Sequence, residues 1–167
     1  SWRGSLVGLA IGILAWNVPE LVGGGQQLTK QALDNARPIH EVLQIFVIRF
    51  ILGAACYSIG APGGIFAPML ALGAQFGLIV NASFLYLAPS LATSPTAFAL
   101  IGMTALFSGA CRAPLTAIIL VTEMTANTSQ LLPMLCACFA AMLPPILFNY
   151  PSIYEALRDR TLRQKDH

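Results

Sequence analysis

Charged residues are scarce in this sequence. Only 10% of its 167 residues are Asp, Glu, Lys or Arg, whereas a soluble domain carries about 25%. Nine basic and seven acidic side chains give a net charge of +2, which is too small to attract nucleic acid or another polyanion. Because 56% of the residues are hydrophobic and the mean hydropathy is +0.71, the composition excludes a disordered chain and argues against a water-soluble domain.

Charge is almost absent from the middle of the chain. Three charged residues lie between Glu41 and Glu155, and residues 50–111 and 124–154 contain none. A helix needs about 20 predominantly apolar residues to cross the hydrocarbon core of a bilayer. The first neutral stretch therefore has room for two or three spans and the second for one. The sequence predicts an all-α integral membrane protein, a multi-helix bundle in contact with lipid.

The residues of known enzyme and metal sites are also missing. No aspartate occurs in residues 35–158 and no histidine in residues 41–166, which excludes an intramembrane aspartyl pair and a serine–histidine site there. His40 begins a sequence like the zinc motif H-E-x-x-H, but Gln44 stands in place of the second histidine. The four cysteines lie in apolar stretches without the spacing of metal ligands. We therefore expect neither enzymatic activity nor a cofactor.

Glycine and proline divide the chain into short apolar segments, which predicts broken and tilted helices rather than uniform spans. Gly73 and Gly77 form a small-xxx-small pattern that favours close packing of helices. Four of the nine basic residues lie in the last ten positions, so the positive-inside rule predicts a cytoplasmic C-terminus. Helices are predicted over residues 5–18, 26–35, 41–58, 65–87, 96–109, 115–125 and 129–147, with a last amphipathic helix from Pro151.

The most informative segment is GAPGGIFAP at residues 60–68, where a glycine-rich break opens a long apolar helix. Non-helical backbone inside a bilayer is tolerated only where protein or a water-filled cavity surrounds it. A helix that begins there directs its free N–H groups and the positive end of its dipole toward that cavity, an arrangement that suits an anion. The alternative from the residues alone is a proline–glycine hinge that serves packing.

Three blocks of the sequence, in order, are similar to the signatures of one transport family. Gly64-Ile65-Phe66-Ala67-Pro68 resembles the G-x-F-x-P anion-binding motif of the CLC chloride channels and chloride/proton antiporters, in its bacterial form. RAPLTAIILVTEMT at residues 112–125 resembles the second signature of that family, R-A-P-L-T with a downstream E-M-T. Tyr154 falls where the family places a pore-lining tyrosine. The resemblance covers essentially the whole chain, with departures at Cys111 and at Ala117, where glycine is usual.

The resemblance implies roles for individual residues. Backbone N–H groups of Ile65 and Phe66 are expected to coordinate chloride, the transported ligand, and the Tyr154 hydroxyl is expected to add a donor. The other residues that the resemblance assigns are Gly64, Ala67 and Pro68 in the anion-binding motif and Arg112, Pro114 and Glu123 in the second, structural motif. Partial charges hold an ion weakly enough to release it, and the absence of lysine from residues 31–164 agrees with such a site.

The resemblance also implies that residues 1–167 form the C-terminal half of a transport domain with two inverted halves. The serine filter motif, the gating glutamate motif and the proton-relay glutamate of the family belong to the N-terminal half, which we expect to be a separate part of the subunit. The implied partners are chloride, protons, membrane lipid and a second copy in a homodimer, through residues 115–119 and 131–135. The implied location is the bacterial plasma membrane.

Several alternatives remain at this stage. The complete protein is expected to exchange chloride for protons, but a passive voltage-gated-type chloride channel and a non-transporting scaffold of the same fold are open. Tyr154 is by periodicity alone an interfacial aromatic residue. Glu123 is either a proton carrier or a structural group, for which Arg112 is one available partner. Arg49 is expected to extend toward the interface or to pair within the bundle.

Overall fold

A computed structural model describes residues 24–34, 37–59, 66–87 and 94–165, together with five single residues before Gly24. In these ranges the chain folds into seven helices without a strand, as the sequence predicted. The predicted helix over residues 5–18 lies largely outside the described residues. The helices are α1 Gln26–Leu33, α2 Ile39–Ile59, α3 Phe66–Leu87, α4 Pro95–Cys111, α5 Pro114–Thr125, α6 Leu131–Leu147 and α7 Ile153–Lys165.

Proline and a capping residue fix the ends of the central helices. The Ser94 hydroxyl accepts a hydrogen bond from the Ala97 N–H at 3.3 Å, and Pro95 occupies the first position of α4, where an N–H is not needed. α4 ends at Arg112, which has a left-handed backbone with φ 57°. Helix α5 then begins at Pro114, because a proline disfavours the helical conformation of the residue before it.

Helices α3 and α4 cross in direct contact through glycine. A Cβ atom placed on Gly73 would lie 2.6 Å from the carbonyl oxygen of Gly102, and one on Gly77 would overlap the carbonyl oxygen of Phe98. The two backbones therefore approach each other directly, as the small-xxx-small pattern predicted. Around this crossing lies the main hydrophobic core, whose fully buried side chains include Leu100, Met103 and Phe107 of α4 and Met134 of α6.

Helix α4 is the centre of the bundle, in contact with α1, α3, α5, α6 and α7. Buried hydrogen bonds join α4 to α6. The buried Ser108 hydroxyl donates to the carbonyl oxygen of Cys138 at 3.4 Å, and the Cys138 thiol donates to the carbonyl oxygen of Thr104 at 3.5 Å. These contacts satisfy polar groups that would otherwise be costly inside an apolar core.

Two helices among the described residues are long and apolar enough to cross a membrane, α2 through its window Ile39–Cys56 and α3. Only 17% of the α2 window and 44% of α3 is buried, so large apolar surfaces face outward. Further exposed apolar side chains lie on α5 and α6, including Leu115, Ile119, Leu132 and Phe139. Such surfaces fit a bundle that meets lipid or further protein rather than water.

Arg49, in the middle of α2, turns into the bundle. It is 6% exposed, and a Cβ atom placed on Gly25 would lie 2.9 Å from the Cζ atom of the Arg49 guanidinium. Gly25 has φ 76°, a conformation that suits glycine, and it precedes α1. Of the two expectations for Arg49, extension to the interface is wrong, because its side chain packs inside.

Candidate functional site

The glycine-rich segment at residues 60–65 precedes α3 in the sequence. Gly64 and Ile65 lie outside the described residues, and α3 begins at Phe66. Ala67 and Pro68 follow in its first turn and are half-buried. Because the first N–H groups of a helix have no carbonyl partner within the helix, this turn offers donors at its open end, with Pro68 removing one of them.

Phe66 connects the start of α3 to the core. Its ring stacks on that of Phe107 in α4, with ring centroids 5.4 Å apart and planes inclined by 26°. Phe66 is 45% exposed whereas Phe107 is 1% exposed. One face of the Phe66 ring is therefore anchored by a buried partner, and the rest of the side chain is open.

Tyr154, in the first turn of α7, contacts the end of α4. Its phenol lies beside the Cys111 thiol. Tyr154 is 48% exposed, and Cys111 is 8% exposed. Partial burial and the neighbouring Cys111 raise the pKa of the Tyr154 phenol above its ordinary value, so the phenol is protonated at neutral pH and can donate a hydrogen bond.

Phe66 and Tyr154 therefore contact the same face of α4. Phe107 and Cys111 are four residues apart on this helix, a spacing that places them on the same side, about 6 Å apart along the axis. Phe66 reaches the first of these residues and Tyr154 the second. Phe66 and Tyr154, which the resemblance assigns to the anion site, thus contact the same end of α4, although 88 positions of sequence (154 − 66) separate them.

Arg112 of the second motif also contacts the start of α7. Its guanidinium donates a hydrogen bond to the carbonyl oxygen of Tyr150 and lies 3.9 Å from the Glu155 carboxylate, Nη1 to Oε2. Glu155 accepts a hydrogen bond from the Ser152 N–H at 2.8 Å, while the Glu155 N–H donates to the Ser152 hydroxyl at 3.4 Å. Ser152 and Glu155 thus form a capping box.

Sequence reasoning missed Glu155 and its capping box. The signal was present as Ser152-Ile153-Tyr154-Glu155, the S-x-x-E pattern of a helix start. The carboxylate is held ionised, because the Ser152 N–H and hydroxyl, and to a lesser extent the charges of Arg112 and Arg158, lower its pKa. An exposed carboxylate of this kind stabilises the positive end of a helix.

The remaining residues of the second motif lie apart from these contacts. Pro114 begins α5, consistent with a structural role at a helix start. Glu123 is exposed near the end of α5. Pairing of Arg112 with Glu123 was one interpretation of the sequence, and within the described ranges it is wrong, because Arg112 pairs with Glu155 instead. No group of three or more His, Cys, Asp or Glu in those ranges is arranged to hold a metal.

Comparison with known proteins identifies relatives that are much longer. The H+/Cl− exchange transporter ClcA of Vibrio parahaemolyticus is 42% identical over 160 residues, which are 96% of this chain and 34% of that protein. ClcA of Klebsiella pneumoniae is 39% identical over 163 residues, covering 98% and 34%. The chain thus spans about a third of the length of these relatives.

A solved structure and a family model agree with these relatives. The crystal structure of a slow cyanobacterial Cl−/H+ antiporter superposes with a TM-score of 0.90 at 37% identity, covering 99% of this chain and 39% of that one. The all-α membrane fold expected from the resemblance is therefore confirmed. The family model described as voltage gated chloride channel matches residues 1–144. This chain belongs to the voltage-gated chloride channel family, the CLC membrane transporters.

Proposed function

We propose that this chain is the C-terminal half of a transport domain that exchanges chloride for protons across a membrane. The named relatives are H+/Cl− exchange transporters, and this chain corresponds to about a third of each. The observation that carries the proposal is that Phe66 and Tyr154 contact two residues on one face of α4, Phe107 and Cys111. Phe66 and Tyr154 come from distant segments, and Phe66 lies at a helix start that has free N–H groups. A ligand site explains this arrangement better than a hinge that serves packing.

The proposed ligand of this site is a dehydrated chloride ion. Backbone N–H groups of Ile65 and Phe66 would face it at the start of α3, where the helix dipole favours a negative charge. The Tyr154 hydroxyl, protonated at neutral pH, would add a donor from α7. Gly64, Ala67 and Pro68 are proposed to complete the motif that presents these groups. Donors with partial charges permit both binding and release, which transport requires.

We propose the membrane location, the orientation and the oligomeric state from the relatives, the sequence and the exposed residues. The relatives above come from bacteria, so we place the complete protein in the bacterial plasma membrane. The basic residues after Tyr154 support a cytoplasmic C-terminus by the positive-inside rule. The exposed apolar residues of α5 and α6 suit a homodimer contact. No nucleic acid and no cofactor is proposed as a partner.

The test is reconstitution of the complete protein in liposomes with an imposed chloride gradient. Chloride efflux and internal pH are recorded together, and we expect chloride movement to drive protons against their gradient. A Tyr86→Phe variant serves as the control, because Tyr86 is almost fully exposed at the end of α3. Chloride flux without proton movement would identify a passive channel. A protein that inserts correctly but moves neither ion would be a scaffold.

A further inference from the structure

The end of α4 and the start of α7 are joined at two adjacent positions. Cys111 lies beside the Tyr154 phenol, and the next residue, Arg112, bridges the Tyr150 carbonyl and the Glu155 carboxylate. Tyr154 and Glu155 are neighbours in the first turn of α7. One short segment of α4 therefore contacts the backbone before α7 and two consecutive side chains within it.

We propose that Arg112 and Glu155 form a latch that positions the Tyr154 hydroxyl at the anion site. The latch is defined as the Arg112 guanidinium, the Tyr150 carbonyl and the Ser152–Glu155 capping box. In this proposal Arg112 and Glu155 are positioning residues that touch no ion themselves. The inference rests on the proposed function, because it concerns the donor that Tyr154 supplies to that site.

The latch fixes α7 in two directions. The bond to Tyr150 holds the segment that enters the helix, and the ion pair with Glu155 holds its first turn. A guanidinium is suited to both contacts because it presents several donors in a rigid planar fork. In contrast, the neighbouring Cys111 thiol offers the Tyr154 phenol only a weak donor and a weak acceptor. The phenol lies next to the thiol in this structure. The stronger contacts of Arg112 hold the start of α7, and therefore hold the phenol in that position.

The charges of the latch are matched locally. Arg112 lies at the C-terminal end of α4, where a helix dipole favours a positive charge, and Glu155 lies in the first turn of α7, where it favours a negative one. Each charge is therefore balanced by a helix end and by the other member of the pair. This arrangement argues for a positioning role and against Arg112 as a direct attractor of chloride.

The first measurement is independent of transport. The complete protein is treated in detergent with N-ethylmaleimide, and labelling of Cys111 is quantified by peptide mass spectrometry, with the exposed Cys136 as internal reference. We expect Arg112→Gln to raise the Cys111 labelling rate about tenfold, the scale set by loss of a charge-assisted hydrogen bond. Glu155→Gln should act in the same direction and Arg112→Lys should act less. The control is Arg37→Gln, which breaks the ion pair of Arg37 with Glu41 at 3.5 Å.

The second measurement asks whether the latch acts through Tyr154. Chloride affinity is determined by calorimetry in a cycle of Arg112→Gln and Tyr154→Phe. A positioning role predicts that Arg112→Gln weakens chloride binding in the wild-type background and adds nothing once the hydroxyl is gone. The same cycle with Arg112→Gln and Glu155→Gln should show that the double variant is no worse than the stronger single one.

The outcomes distinguish failure of the latch proposal from failure of the proposed function. If wild-type protein binds no chloride, the proposed function fails, and Cys111 labelling still decides whether the latch holds Tyr154 over the thiol. If Arg112→Gln lowers chloride affinity while Cys111 labelling stays unchanged, Arg112 acts on the anion directly and the latch proposal is overturned. Unchanged labelling together with unchanged affinity overturns it as well.

Discussion

The ring of Phe66, the first residue of α3, stacks on the ring of Phe107 in α4, with centroids 5.4 Å apart. Phe107 is one of the largest fully buried side chains of the core. The first turn of α3 is therefore attached to α4, the central helix of the bundle. This stacking restrains the start of α3, although the preceding residues are rich in glycine.

Removal of the Phe66 ring should alter selectivity more than binding. Because the proposed donors are main-chain N–H groups, Phe66→Ala should retain halide binding but reduce discrimination between chloride and nitrate. Loss of the aromatic pair should also destabilise the protein by about 0.5–1.5 kcal/mol beyond the lost burial. Phe66→Pro should impair binding further, because it deletes an N–H group. Liposome flux ratios and bromide anomalous diffraction are the measurements, with the bromide expected ~3.3 Å from the amide nitrogens, slightly beyond the N–H···O range.

The control for this prediction is Phe76→Ala, because Phe76 lies on the same helix with a similar exposed fraction and a partner ring, Phe46, at 6.1 Å. This variant should keep the wild-type chloride-to-nitrate ratio. A complete, well-ordered protein without bromide near the Phe66 amide would contradict the proposed site.

Alanine at Gly77 should prevent normal packing of α3 against α4. A Cβ atom there would overlap the backbone carbonyl of Phe98, which cannot move aside as a flexible side chain could. We expect a loss of about 1–3 kcal/mol, the usual cost of overpacking, and a lower yield of folded protein. Thermal unfolding in detergent measures the effect.

The matched control is Gly53→Ala. Gly53 also lies inside a helix, and a Cβ atom built on it meets nothing within 4 Å. Since alanine is a better helix former, this variant should be unchanged or more stable by up to about 1 kcal/mol. Equal melting temperatures for the two variants would contradict the direct backbone contact at Gly77.

The stability that Glu155 contributes should depend on pH. Hydrogen bonds from Ser152 and the charges of Arg112 and Arg158 lower its pKa in the folded state. A carboxyl whose folded pKa is depressed contributes stability above its unfolded value, near 4.3, and this contribution is lost as the pH falls through the folded value. The difference in melting temperature between wild type and Glu155→Gln should therefore be largest near neutral pH and vanish in acid. A difference that grows on acidification would refute this origin.

Much of the fold was predictable because proline marks helix starts and glycine marks a close helix contact. Pro68, Pro95 and Pro114 all lie in the first turn of a helix, where a missing N–H has little cost. The close approach of Gly73 to α4 followed from small-residue spacing. The ends of the helices were predicted less accurately than their positions. Helix α4 extends two residues beyond its predicted end, because Arg112, a residue other than glycine, terminates it in a left-handed conformation.

The candidate site was less predictable from the residues alone. Arg112 and Tyr150 are 38 positions apart, and no local pattern indicates that they meet. Glu123 was one available partner for Arg112 in the sequence, although Pro114 interrupts the helix between them, and in the structure Arg112 pairs with Glu155. The capping box at Ser152 and Glu155 was readable as a helix start. Its contact with Arg112 depends on tertiary packing, which the periodicity of a single segment does not encode.

Two substitutions at Tyr154 should have different effects. Tyr154→Phe removes one hydroxyl donor, which is worth about 0.5–1.5 kcal/mol, so chloride affinity should fall by roughly two- to tenfold. Tyr154→Ala also removes the ring beside Cys111 and should loosen the coupling of chloride to protons. Calorimetry and paired ion fluxes measure the two effects. Wild-type affinity and coupling in both variants would leave Tyr154 as an interfacial aromatic residue.

The 167-residue chain should not transport chloride by itself. Phe66 is 45% exposed and Tyr154 is 48% exposed in the described part of the chain, so protein covers the candidate site on one side only. In a bilayer, lipid would meet polar backbone at the glycine-rich break, an arrangement that membranes do not tolerate. Reconstituted alone, the purified chain should give the chloride flux of empty liposomes, while the complete protein, prepared in parallel, should exceed it. Circular dichroism would confirm that the chain is helical in the assay. Chloride-selective flux from the chain alone would show that the site needs no second half.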